Sequence, residues 1–145
     1  MAFIQLLGAA LIIEDVKRGA TKARELEKPL RRAVSEVIIP SIQQNFEAGG
    51  RPAWEPLAER TIDQRQMIGR GVKILVDTGS LLEEMGLMKN WKIQGGNAEL
   101  QTPDAAPYAG IHQEGTNQIP ARPFAILQPE DEVAIEKVFD DWMRS

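Results

Sequence analysis

His112 is the only histidine in a chain that has no cysteine, and carboxylates stand near it in sequence at Asp104 and Glu114. An imidazole beside two carboxylates is the material of general acid–base catalysis or of a hard-metal site. The set is thin for both. A zinc site uses three or four protein ligands, and no second His or Cys is there to complete one. The carboxylates do not follow the spacing of an EF-hand loop. Gly69-Arg70-Gly71-Val72-Lys73 lacks the spacing and the Ser/Thr of a phosphate-binding loop, and no Gly-x-Ser-x-Gly elbow surrounds Ser35, Ser41, Ser80 or Ser145. A small metal-dependent hydrolase centred on Asp104, His112 and Glu114 is therefore a minor alternative. The main reading is of no enzyme and no cofactor, with His112 a structural residue that hydrogen-bonds its turn through Gln113.

Two other stretches are richer. GGRPAWEPL runs from Gly49 to Leu57, and YAGIHQEG with IPARPF runs from Tyr108 to Phe124. Each joins residues that fix the backbone, Pro and Gly, to a large anchor (Trp54, Tyr108 or Phe124) and a guanidinium (Arg51 or Arg122). Rigid turns of this kind suit docking and assembly better than turnover. Trp54, held between Pro52 and Pro56, reads first as a core anchor. Arg122, between Ala121 and Pro123, is available for a bidentate pair with a carboxylate of its own or a neighbouring chain. Arg51 is the weaker interface candidate of the two.

The elements that must hold these stretches are mostly helical. Leu26, Leu30, Ala33, Val34, Val37, Ile38, Ile42 and Phe46 recur at the spacing of one helical face. Pro29 fits a first turn, whereas Pro40 predicts a kink or break near Val37 to Ile39, and Gly49-Gly50 end the helix. Upstream, Ala9–Ala23 is a second helical candidate, and Met1–Leu7 is compatible with a short strand. Thr61–Arg65 reads as a short helix capped by Thr61, and Leu81–Leu87 as another with Glu83 and Glu84 near its positive end. Trp91–Gln94 and Ala98–Thr102 alternate in polarity around Gly95-Gly96-Asn97, a hairpin signal. Tyr108–Gln113 is a helix or turn, and Phe124–Leu127 a further strand. From Pro129 a final helix carries acidic residues in its first turn and Ile135, Val138, Phe139 and Trp142 on one face. The fold class is α+β, a small antiparallel sheet packed with long N-terminal and C-terminal helices.

At 145 residues and 43% hydrophobic composition, the chain is expected to form a single domain, residues 1–145, with 1–20 as a strand/helix arm used in assembly. The longest nearly apolar run, Phe3 to Ile13, falls short of the ~20 residues of a membrane span and lacks the features of a secretory signal, so a soluble, untargeted protein is expected. An exposed Phe3-Ile4-Leu6-Leu7 would be adhesive and is expected to be covered. The net charge of −4 is unevenly placed: residues 1–75 hold 12 Lys+Arg against 9 Asp+Glu, and residues 76–145 hold 5 against 12. An acidic half argues against gripping phosphate along the chain and fits opposite ends meeting between neighbours in a ring. A nucleic-acid-binding module using Lys17, Arg18, Lys22, Arg24, Arg31 and Arg32 is the remaining alternative. Those cations are interleaved with Glu25, Glu27 and Glu36, which is the pattern of a solvated helix face.

In chain order, Phe46, Gly50, Pro52, Trp54, Pro56, Leu57, Thr61, Leu75, Thr78, Gly79, Leu81, Tyr108, Ala109, His112, Gln113, Gly115, Pro120, Ala121, Arg122, Pro123 and Phe124 resemble the pattern of the phage virion morphogenesis family, the tail-completion proteins of Mu-like phages. The resemblance spans about Phe46 to Phe124. It departs from many relatives in a short stretch between Gln113 and Pro120, where they carry a longer basic insertion, and nothing in it covers Met1 to Asp15. It implies a tail-completion or tail-terminator-like fold and a structural virion protein of the neck, assembled in the host cytoplasm. It further implies a homo-oligomeric ring of six copies that completes the tail tube and offers the head-tail joining surface. The implied partners are further copies of the chain, the tail tube or terminator protein and the head connector or adaptor. DNA would pass the lumen without specific binding, and no membrane is involved. Arg51, Pro52, Trp54, Tyr108, His112, Arg122 and Phe124 are the structural or interface candidates.

Overall fold

The computed structural model describes residues 2–5, 23–77, 79–94 and 96–145. Its elements are strand β1 (Ala2–Gln5), helices α1 (Glu27–Ala33), α2 (Ile39–Ala48), α3 (Glu59–Met67) and α4 (Ser80–Met85), strands β2 (Trp91–Gln94) and β3 (Asn97–Gln101), and helices α5 (Ala109–Glu114) and α6 (Pro129–Arg144). The class is α+β, as expected. The helix expected over Ala9–Ala23, the remainder of the 1–20 arm and the side chains of Phe3, Ile4, Leu6 and Leu7 fall outside the described residues, apart from the backbone of β1 and Ala23. No helix among the described residues is long and apolar enough to cross a membrane.

The chain divides into two compact units, one of residues 1–41, 87–101 and 127–145, the other of residues 42–86 and 102–126. In the first unit the sheet has the order β1-β3-β2, antiparallel throughout. Trp91 faces Leu100 and Ile93 faces Ala98, so the apolar set of the hairpin lies on one face, and α1 packs against β2 and β3. β1 pairs along the other edge of β3 with an irregularity between Ala2 and Ile4. Leu26, Leu30, Ala33, Val34 and Ile38 are buried, and α1 packs on α6, whose Ile135, Val138 and Phe139 are buried too. The start of α6 is fixed by a reciprocal cap between Gln128 and Asp131, with Pro129 at its first position. The buried Asp131 carboxylate also accepts a hydrogen bond from the Ser41 hydroxyl.

Pro40 does not break the helix. One turn, Val34–Ile38, widens so that the Ile39 N–H donates to the Val34 carbonyl five residues back, and regular helix resumes at Ile39. Widening the turn just before a proline relieves the contact its ring would make with the carbonyl four residues back, so the helix continues past it. Two further expectations are corrected. α3 begins at Glu59 with Ala58 as its cap residue, so Thr61 lies inside the first turn and caps nothing. Phe124–Leu127 is irregular, with a bend at Ala125, and joins no sheet among the described residues. Pro120 and Pro123 remove donors that a ladder would need, and side chains satisfy the neighbouring backbone groups.

Candidate functional site

The second unit is built around that irregular segment. The Arg122 N–H donates to the His112 carbonyl at 2.8 Å, and the Pro123 carbonyl accepts from Trp54 Nε1 at 3.0 Å. The Phe124 and Ala125 N–H groups both donate to Gln113 Oε1, at 3.0 and 3.1 Å, while Gln113 Nε2 donates to the Ala125 carbonyl at 3.3 Å. The Phe124 carbonyl accepts from Asn45 Nδ2 at 2.6 Å. Two amide side chains and an indole thus do the pairing that a neighbouring strand would do.

The motif glycines and aromatics follow from this geometry. Trp54 meets Phe46 edge-on with ring centroids 5.7 Å apart, and Phe46 meets Phe124 at 5.5 Å. All three are buried. Gly50 has φ +102°, and a Cβ there would stand 2.6 Å from the Trp54 ring and backbone nitrogen, so only glycine lets the indole close over the turn. Gly115, at φ +77°, has the same relation to Ala121: a Cβ would lie 2.6 Å from the Ala121 nitrogen. The short connection between them is tied by Thr116, whose Oγ1 accepts from the Gln118 and Ile119 N–H groups.

Arg122 is buried, and its partners are carbonyls of the same chain, with no carboxylate among them. Nε donates to Glu55 O at 2.8 Å and Nη2 to Pro56 O at 2.9 Å. Arg51 is half-buried and donates to Asn45 Oδ1 at 2.7 Å and Gln44 Oε1 at 3.1 Å; the Arg51-Pro52 peptide is cis. Tyr108 lies edge-on to His112 at 5.7 Å and stays partly exposed. Trp54, Arg122 and Phe124 are thereby inner parts of this unit, Pro52 and Tyr108 are at its surface, and Arg51 lies between.

Beside this frame is a cleft of about 530 Å³, a size that holds a small ligand or a few side chains of a partner. Its lining includes Leu57, Leu75, Gly79, Leu81, Tyr108, His112 and Arg122, all residues of the motif, together with Arg65, Asp77, Ser80 and Ala105. Leu75 is buried at φ +61°, a conformation a leucine adopts only under constraint. Burial, helped by the Arg122 and Arg65 guanidiniums, holds the His112 imidazole below its ordinary 6.5, so it is neutral at pH 7. Burial also lowers Arg122, opposed by the Glu55 carboxylate, and a guanidinium stays charged.

The expected hydrogen bond from the His112 side chain through Gln113 is absent. Its Nδ1 is buried without a hydrogen-bond partner, and it is the His112 carbonyl and the Gln113 side chain that tie the turn. Ser80, His112 and Asp77 share the cleft but form no catalytic relay. Asp77 is held by Arg65 at 3.7 Å and Arg70 at 3.0 Å, and nothing orients His112 Nδ1. Asp104 and Glu114 are exposed and do not line the cleft. Among the described residues no three His, Asp or Glu side chains are gathered to hold a metal. Of the basic candidates, Lys17, Arg18 and Lys22 and the Arg24 side chain lie outside the described residues, Arg31 is exposed, and Arg32 pairs with Glu36 at 3.3 Å. Nothing in the sequence marks Arg65 or Ala105 as part of this site. For Asn45 there was a signal, a polar residue on the apolar face of a helix next to Phe46.

A sequence profile of the phage virion morphogenesis family matches residues 12–144. The chain is 34% identical to the Mu-like prophage FluMu G protein 2 of Haemophilus influenzae over 99% of this chain and 97% of that protein. No solved structure matches it. Relative, profile and the motif frame agree, and the chain belongs to the phage virion morphogenesis family.

Proposed function

We propose that the protein completes the phage tail at the neck. Residues 1–145 act as one tail-completion domain, and copies of it form a ring, of six, that closes the tail tube and offers the surface on which the head connector attaches. The chemistry is association, with no covalent step. The observation that carries this reading is the convergence of the motif residues on one rigid frame and its cleft, in a chain whose relative over nearly its full length is a Mu-like prophage protein. Arg51, Pro52, Trp54, His112, Arg122 and Phe124 hold that frame, and Tyr108 presents its exposed edge. DNA crosses the ring without being held, which suits a net charge of −4. Light scattering of the purified protein, alone and with purified tail tubes, followed by electron microscopy of the mixture, tests the proposal. A ring, or new density at one end of the tubes, is the expected result; a monomer that ignores the tubes at every concentration overturns it.

A further inference from the structure

Two exposed surfaces match each other in charge. The first is α3 with the loop after it. None of the nine residues of α3 is buried, and a helix that short has little stability of its own in water. Arg60, Asp63, Gln64 and Met67 recur at the spacing of one outward stripe. Met67 is 86% exposed, and Ile68 and Val72 follow at 62% and 44%. Residues 60–73 carry four cations against Asp63 alone, a net +3. Arg65 and Arg70 are engaged by Asp77, whereas Arg60 and Lys73 have no ion-pair partner among the described residues.

The second surface is the outer face of α6. Residues 129–144 hold six carboxylates against Lys137 and Arg144, a net −4. Glu132, Val133, Glu136, Asp140 and Met143, all exposed, fall within roughly 100° of arc at the α-helical period, on a flank that adjoins the stripe of the buried Ile135, Val138 and Phe139. Val133 is 67% and Met143 55% exposed. Each surface therefore sets large apolar side chains in a field of charge, positive on one and negative on the other. Exposed apolar groups in a charged rim are the composition of a protein contact.

We propose that the α3 arm of one copy lies on the outer face of α6 of the next, with Met67 and Ile68 against Val133 and Met143, and Arg60 and Lys73 facing Glu132, Glu136 and Asp140. Two different surfaces meet, so the contact is heterologous, and its repetition generates a ring or an open helix depending on whether the rotation closes. The inference rests on the ring reading above and names the surfaces that make the ring.

Charge reversal tests it. Every substituted residue is exposed, so circular dichroism and the urea midpoint should stay those of the parent. Arg60→Glu with Lys73→Glu, or Glu136→Lys with Asp140→Lys, is expected to raise the concentration needed for assembly by about tenfold or more, since like charges then face each other. The chain with all four substitutions should assemble again within about threefold of the parent, as should an equal mixture of the two reversed chains. Reversed chains that assemble like the parent, or four substitutions that restore nothing, overturn the proposal while leaving the ring intact. Loss of tail-tube binding with ring mass unchanged makes the tube the occupant of the arm and overturns it equally. A parent protein that never assembles, with or without tubes, overturns the ring reading and this contact together.

Discussion

Gly50 is one of the motif's glycines and among its least replaceable residues. Gly50→Ala would set a Cβ into the Trp54 ring at a positive φ, and strain and overpacking together should cost about 2 to 4 kcal/mol in urea denaturation. Gln113 is comparable for a different reason. Gln113→Leu would remove the acceptor that the Phe124 and Ala125 N–H groups share, at about 1 to 3 kcal/mol each, whereas Gln113→Glu keeps it and should lose less. His112 gives the fold a pH dependence with a fixed sign. Unfolded, it takes up a proton near 6.5; folded, it resists until lower pH. Between those values the unfolded chain binds more protons, so stability falls as pH drops below about 6.5. The decline between pH 7 and about pH 5.5 should be shallower in His112→Gln, measured by urea midpoints. Trp54 was legible as a core anchor because two prolines flank it. The bonding of Arg122 was not, since a guanidinium in an extended segment accepts carboxylates and carbonyls alike, and only the position of Glu55 and Pro56 in space decides between them.

At the scale of elements, periodicity carried the reading where a helix or hairpin buries one face. α1, α2, α6 and the β2–β3 pair followed from apolar spacing, and the capped start of α6 from Pro129 and its acidic first turn. It failed where backbone groups are satisfied by distant side chains, as at Phe124–Leu127, and where a helix absorbs a proline. Because the wide turn at Val34–Ile38 already accommodates Pro40, Pro40→Ala should change stability by no more than about 1 kcal/mol; a gain near the ~3 kcal/mol that proline costs in a regular helix would mean that its strain persists. Asp131 joins two elements at once, bonding the Ser41 hydroxyl and the Gln128 N–H. Asp131→Ala loses a cap and a charge-assisted hydrogen bond to the buried Ser41, so it should cost about 2 to 4 kcal/mol in the same assay.

For the molecule as a whole, the sign of the charge sets what it should ignore. With a net charge of −4 and the cations of residues 17–36 interleaved with acids, the protein should show no gel-shift retention of duplex DNA at physiological salt. The order of the chain through its two units has a further consequence. The polypeptide passes from one to the other four times, at residues 41, 86, 101 and 126, and the first unit takes its last segment from residues 127–145. Ile135, Val138 and Phe139, which complete its core, are thus synthesised only after the whole of the second unit. A chain stopped early by a nonsense codon or a stalled ribosome lacks the piece that closes the first core, however complete its motif frame is. Synthesis through the last segment of the first unit is thus written into the fold as a condition for a finished core.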